Sequence, residues 1–491
     1  MEKSLLKNAI YKIALNFFNL VLPILVGPYV YRVLGSESIG KVKYGESIFN
    51  YFFIFATFGI YQYGLREVSR IKNDKVKVAQ LFTSLFTFSL LTNFIALIAY
   101  LIVAYVGFGD QYLFPILVIF AINFIMNIFY VEWVNEAFES YDFITIKTIA
   151  VKIIYIVLLF SFIKSSDDYL LFTSLLVLST SLNNILSFIY IKRKIKFDFS
   201  HIRFAPHIKP LFMVVIFMNG NILYSQLDIF MLGRYVNEAA VSFYVMSKQI
   251  MTIISLLMLS VVQVTIPRLS YLLGEADEDS YISLVQRITK IYFAVLFPAA
   301  IGLFAISDLG VIAYGGKEFE KAGPVLAVFS IYMIVLGIEF ILSNQVMYVK
   351  KREHILVRFI IAGGIINFLL NGAFIYFDKF NAEVAIGTTA IATLVLVSLE
   401  YYYVRRRLQL PLKIFSFSII KYFLYSLSFI PISIGLREVI SGTYILFASI
   451  IVVSILVYVF ILFVTKDEVF FLIFDKVKGK LAVILNKRKN K

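Results

Sequence analysis

Four basic side chains stand inside otherwise apolar stretches of this chain: Arg32, Lys152, Arg234 and Lys248. A charge near the middle of a bilayer costs at least about 2.5–3.5 kcal/mol on insertion scales, so such a residue turns toward a protein interior or a watered cavity. Lys152 shares one helical face with Thr145, Thr148 and Tyr155, and Lys248 shares another with Tyr244, Thr252 and Ser255. Two such stripes imply a hydrated, cationic interior that attracts an anion. The competing reading is that each lysine snorkels to an interface or pairs with a carboxylate. Arg32 lies just before Gly35 and Arg234 just after Gly233. A guanidinium fork suits a diphosphate, and it serves equally to anchor a helix end at the membrane surface.

The carboxylates in apolar stretches open a second kind of chemistry. Asp228 lies on one face with Asn221, Tyr224 and Ser225, and Glu339 lies one turn from Ser343. A buried carboxylate there binds a coupling cation, Na+ or H+, or neutralises one of the lysines; both readings stand. Glu132 and Glu136, four apart near a helix end, read as a solvated face. Pro23 and Gly27, with Asn16 and Asn19 before them, mark a candidate hinge, although proline is also ordinary in membrane helices. Gly363, Gly364, Asn367 and Asn371 fit close helix packing.

Other chemistries lack their residues. The chain has no cysteine and three histidines, His201, His207 and His354, all in segments read as cytoplasmic loops, so no metal site is expected. Gly315-Gly316-Lys317 lacks the spacing of a nucleotide-binding phosphate loop. With no catalytic set and no organic cofactor implied, an enzyme is not expected.

The elements that must hold these residues follow from composition. Of 491 residues, 60% are apolar and 16% charged, against roughly 45–50% and about 25% in soluble domains. Apolar runs of bilayer-spanning length recur throughout and predict an all-α membrane protein of about fourteen spans. The spans fall near 10–34, 44–64, 79–106, 112–138, 144–163, 169–191, 208–233, 239–267, 288–308, 323–349, 355–377, 383–404, 417–436 and 444–465. The first apolar segment is too long for a signal-peptide core and is read as a retained span.

The net charge of +15 need not mean nucleic acid. Most lysines and arginines fall in alternate loops, including Arg66 to Lys77, Lys192 to Lys196, Lys350 to Arg352 and Arg405 to Arg407. This asymmetry places both termini in the cytoplasm. Val33-Leu34-Gly35 followed by Tyr44 matches Met231-Leu232-Gly233 followed by Tyr244. An offset of six spans makes the repeats parallel. The expected organisation is a six-helix lobe over 1–200, a second over 201–408, and two further helices with a basic cytoplasmic tail over 409–491. The two lobes are pseudo-symmetric around a central cavity.

Pro28-Tyr29-Val30-Tyr31-Arg32-Val33-Leu34-Gly35, Ile39-Gly40, Tyr44, Phe58-Gly59-Ile60 and Tyr63-Gly64-Leu65-Arg66-Glu67 resemble the opening of bacterial polysaccharide flippases of the Wzx or RfbX type. These belong to the multidrug/oligosaccharidyl-lipid/polysaccharide exporter superfamily. The motif-bearing resemblance covers residues 10–75. It implies alternating-access transfer of an undecaprenyl-diphosphate-linked glycan from the inner to the outer leaflet, with a cationic cavity for the head group. Of the four basic residues only Arg32 lies within the motif. Fourteen spans exceed the twelve often described for such flippases.

Residue usage heavy in Phe, Tyr, Ile, Lys and Asn suggests an AT-rich genome, which makes a teichoic acid precursor as plausible a cargo as a capsule repeat or an O-unit. The resemblance makes lipid-linked glycan, membrane lipids and envelope glycan assembly proteins the expected partners. An anion leaving an inside-negative cell gains about 2.3 kcal/mol per charge per 100 mV, so a doubly charged diphosphate gains on the order of 4–5 kcal/mol without ATP. The alternatives are a cation-coupled multidrug exporter of the same superfamily and a membrane glycan polymerase or ligase; the latter calls for a large external loop that the spans do not leave. The orientation is open to direct test, because single cysteines enter a cysteine-free background. Cysteines near 109 or 166 should react with an impermeant reagent from outside and one near 198 should not; the reverse pattern overturns the topology.

Overall fold

The computed structural model describes residues 5–200, 202–472 and 474. His201, the basic tail beyond 474, and the side chains of Asn221, Tyr224 and Ser225 lie outside the described residues. Apolar segments become helices because hydrocarbon offers no hydrogen bond to a peptide group, and a helix satisfies its own backbone. The first half comprises α1 (Leu5–Thr57), α2 (Ile60–Ile71), α3 (Lys75–Phe108), α4 (Leu113–Asn127), α5 (Glu132–Ala137), α6 (Tyr141–Phe162) and α7 (Tyr169–Lys192). After α8 (Ala205–Tyr235) and α9 (Glu238–Gly274) come α10 (Glu278–Ala305), α11 (Ser307–Gly315) and α12 (Gly323–Phe340), which continues into a π-helix over Ile341–Tyr348. The chain closes with α13 (Glu353–Tyr376), α14 (Ala382–Arg406), α15 (Phe417–Ser426), α16 (Phe429–Val439) and α17 (Thr443–Val464).

Among the described residues, eleven helical segments are long and apolar enough to cross a membrane. The first of them contains two spans joined at Gly35, and the shorter apolar helix α4 and helix α8 bring the tally to the expected fourteen or so. Several boundaries differ from the sequence expectation. The second span starts at Ser36 rather than near 44, because the chain turns at Gly35 alone, with φ 74° and ψ 175°. Only glycine adopts that region without strain. The expected fourth span is broken between α4 and α5, and the thirteenth between α15 and α16. The helix passes unbroken through Pro23 and Gly27, so the sharp change of direction lies eight residues beyond the candidate hinge.

The fold separates into two compact units. Among the described residues, the first holds those of 1–245, 314–318 and 368–382, and the second those of 246–313, 319–367 and 383–474. In the first, α1 packs on α3, α4, α6 and α8, while α7 packs on α4 and α6. Phe49, Tyr100, Phe120 and Phe124 interlock in its centre. A second cluster gathers Tyr63, Val68, Phe82, Trp133 and Val134 where α2 meets α5. In the second unit α10 is the central helix, packed against α12, α15, α16 and α17.

One buried ion pair corrects the reading of Glu132 as solvated. Lys147 donates to Glu132 at 2.9 Å, and their side chains are only 5% and 13% exposed. Ser187 and Asn135 donate to the same carboxylate, and Lys147 also donates to Ser187 at 2.7 Å. Glu136 accepts from Tyr61 at 2.8 Å. The spacing of four along a short helix concealed the break before α5, which turns Glu132 inward. Glu132→Ala should strand the Lys147 ammonium at a cost of about 3–5 kcal/mol, whereas Glu132→Leu with Lys147→Met should be near neutral. The measurement is folded protein recovered from membranes; equal recovery of the single and double variants would contradict the assignment.

Candidate functional site

The bend at Gly35 is held by a segment distant in sequence. The Ser36 N–H and hydroxyl both donate to Glu318, at 2.6 and 2.7 Å. The carboxylate thus caps the helix that restarts after Gly35, where exposed N–H groups favour negative charge. Four residues earlier Tyr314 donates to the Pro23 carbonyl at 2.8 Å. Any Cβ on Gly27 would stand 1.9 Å from the Tyr314 hydroxyl, so Gly27 makes room for this ring. Between them, Gly316 lies against the side chain of Arg32. Arg32, three residues before the bend in α1, is exposed. Arg234, also exposed, lies within electrostatic reach of Tyr44 in the same unit.

Lys152 sits half-way along α6 and half-buried. Its ammonium donates to the Asn19 side-chain oxygen on α1 at 2.5 Å. Thr145, two turns away, donates to the Tyr11 carbonyl of α1, whereas Thr148 donates to Asn183 of α7. The predicted polar stripe is therefore shared between two neighbours rather than turned wholly to one cavity. Beside Tyr155, and within electrostatic reach of it, stands Glu46, which pairs with Lys43 at 2.6 Å. Sequence reading passed over that pair because it lies close to the expected end of a span. Lys248 is half-buried in the second unit.

Asp228 is fully buried. Tyr244 and Asn371 each donate to it at 2.7 Å, and Tyr51 lies within electrostatic reach. The Tyr244 hydroxyl and the Asn371 amide are neutral donors to this carboxylate, a role for Asn371 beyond the close packing read from its spacing. Glu339, in the second unit, accepts from Ser343 at 2.7 Å, and the same hydroxyl lies 2.8 Å from Glu400. Glu400 escaped the sequence reading because Arg405, Arg406 and Arg407 follow so closely that the segment looks interfacial. Among the described residues no group of three or more potential metal-binding side chains occurs.

Residues 5–273, more than half of the chain, match the family described as polysaccharide biosynthesis protein. The chain belongs to this family. The resemblance read in residues 10–75 is borne out, and the match reaches far beyond that stretch. A protein from Shigella dysenteriae named as an O-antigen transporter is 22% identical over 379 residues, covering 76% of this chain and 93% of its own. Another of that name from Escherichia coli K12 is 24% identical over 167 residues, covering 34% and 40%. The solved structure of the lipid II flippase MurJ in an inward closed conformation is similar over 94% of this chain and 99% of its own, with a TM-score of 0.73 and 16% identity, which establishes a shared fold.

Glycines in the recognisable opening of this polysaccharide biosynthesis protein now have physical roles. A Cβ on Gly40 would stand 1.9 Å from the Glu238 carbonyl, and one on Gly64 would stand 2.5 Å from the Trp133 ring. Gly59 starts α2 with a left-handed φ of 69°. At Asp228 the two donors reach different oxygens, so Asp228→Asn keeps one acceptor for the Asn371 amide and turns an N–H toward the Tyr244 hydroxyl, which can accept it, whereas Asp228→Leu removes both of these bonds at about 1–3 kcal/mol each. Membrane abundance should fall clearly further for the leucine variant than for the asparagine variant; equal abundance would show that these bonds do not support the fold.

Proposed function

We propose that this transporter, which performs no covalent chemistry, moves a lipid-linked glycan from the inner to the outer leaflet of a bacterial plasma membrane by alternating access. The observation that carries the reading is the contrast between two lysines of α6. Lys147 is neutralised by Glu132. Five residues on, Lys152 has an amide oxygen for its partner, and among the described residues no carboxylate pairs with it. An uncompensated ammonium half-way through a membrane helix is a receptor for an anion, and the diphosphate of a polyprenyl-linked glycan is such an anion. The names of the O-antigen transporters and of the lipid II flippase support a lipid-linked glycan as the cargo class.

In this reading Arg32 and Arg234 contact the head group near the outer ends of their helices, and Lys248 is a further candidate substrate-binding residue. Pro23 and Gly27 let the first helix flex as Tyr314 leaves its seat. The lobes follow the repeat, over 1–200 and 201–408, with the last two spans and the tail over 409–491. Breaks at Gly35 and at Val236, each followed within ten residues by a buried tyrosine, Tyr44 and Tyr244, support that repeat. An almost wholly apolar cavity of about 460 Å³ between α10, α16 and α17, lined by Pro298, Ile450 and Ile455 among others, suits a polyprenyl tail. Both termini face the cytoplasm. Capsule, O-unit and teichoic acid precursors all carry the required diphosphate lipid, and envelope glycan assembly proteins are the natural recipients.

A cation-coupled multidrug exporter would use Asp228 or Glu339 as its centre. The uncompensated charge of Lys152 speaks against cationic cargo. The test is delivery of lipid-linked glycan to the outer leaflet, normalised to protein in the membrane. Lys152→Ala and Arg32→Ala should insert normally and lose about ten- to a hundredfold in transfer, the equivalent of one charge-assisted hydrogen bond of about 1.5–3 kcal/mol. Lys152→Arg should be tolerated, and Arg32→Lys should recover only part if the fork matters. Full transfer by both alanine variants would remove these residues from the head-group site.

A further inference from the structure

The pair Glu339 and Glu400 poses a problem of proton count. Ser343 Oγ lies 2.7 Å from Glu339 Oε1 and 2.8 Å from Glu400 Oε1. A hydroxyl carries one proton, so it donates to one carboxylate only. The second contact closes when that carboxyl carries a proton of its own and donates it to Oγ. Glu400 is fully buried, and its other oxygen, Oε2, has no hydrogen-bond partner. Glu339 is half-buried beside it; two ionised carboxylates bridged by one hydroxyl at membrane depth would repel each other, and like-charged pairs of this kind take up a proton.

Among the described residues the surroundings offer no other compensation. The groups within electrostatic reach of the two carboxyls are each other, Ser343 and Tyr292 of α10; among the described residues neither carboxyl forms an ion pair with a lysine or arginine. Ser343 lies in the π-helical stretch Ile341–Tyr348. Such stretches depart from the α-helical register and recur at functional sites. Glu400 stands six residues before Arg406, so about 9 Å from the basic end of α14 at about 1.5 Å per residue. On the same buried face of α14 lie Thr393 and Thr389, the latter accepting from Asn367 of α13 at 2.9 Å. A run of polar side chains thus extends from the carboxyl pair along α14 within the second unit.

We propose that Glu339, Ser343 and Glu400 form a proton-binding site in the second unit, in which the two carboxyls share one exchangeable proton. Uptake forms one O–H bond on a carboxyl from a proton of water, and release returns that proton and leaves both carboxylates charged. A conformation that admits water to the pair favours release, and one that excludes water favours uptake, which is the differential affinity that coupling to a proton gradient requires. The site deepens the transport reading by naming a coupling ion, but proton binding itself depends on no assumption about cargo.

The test is infrared spectroscopy of the purified full-length protein in lipid nanodiscs. At neutral pH the wild type should show the carbonyl band of a protonated carboxyl, lost as pH is raised and unchanged when sodium chloride replaces choline chloride. Glu339→Gln with Glu400→Gln should lack that band. Ser343→Ala keeps both carboxyls and should shift the band, which keeps the attribution testable if the double variant does not fold. A wild type without the band, a band that persists in the glutamine variant, a band unmoved by Ser343→Ala, or a band abolished by sodium each overturns the proposal; the last would make a metal cation the ligand.

Discussion

A charge placed at membrane depth must find its compensation inside the protein, and the ways in which this chain meets that demand organise the rest of its structure. Lys147 meets it with Glu132, reinforced by Ser187, and that cluster ties α5, α6 and α7 together. Asp228 meets it with the tyrosine hydroxyl of Tyr244 and the amide of Asn371. Lys152 meets it least completely, with the amide oxygen of Asn19. In the proposed reading the incompletely compensated charge is the one that an anionic head group completes, and the contrast between the two lysines of α6 divides scaffold from proposed site.

Backbone constraints set where those charges stand. Gly35 breaks the first long helix with a conformation other residues do not reach, and Glu318 caps the restart. Gly27, Gly40 and Gly64 admit, in turn, the Tyr314 hydroxyl, the Glu238 carbonyl and the Trp133 ring. Gly40 and Gly64, two of the glycines that made the opening of the chain recognisable, are therefore positions where backbone and neighbour meet too closely for a Cβ. Together with Gly27 and Gly35 they fix the backbone on either side of Arg32 and Tyr44.

Span count and membrane character were legible because hydrocarbon length and charge punctuation are written in one dimension. Lys152 and Asp228 were legible for the same reason, each being an isolated charge in an apolar run. The partners were not. Glu132 looked solvated because the break at Ile128–Val131 that turns it toward Lys147 leaves no proline or glycine in the sequence. Glu400 was hidden by the arginines that follow it, and Glu318 by lying 282 residues from the helix end it caps. Pairing across the fold is a property of tertiary contact, and a single sequence carries it only when both partners are conspicuous.

The central claim is that this chain alone carries a diphosphate-linked lipid across a bilayer. The most direct measurement reconstitutes the purified protein into liposomes holding a radiolabelled polyprenyl-diphosphate glycan in both leaflets, then follows how much of the label an external glycan-cleaving enzyme can reach. Protein-free liposomes should stop near half, while those with the wild-type protein should proceed toward complete cleavage. Cleavage that halts at the protein-free level, in liposomes shown to contain folded protein, would contradict the account.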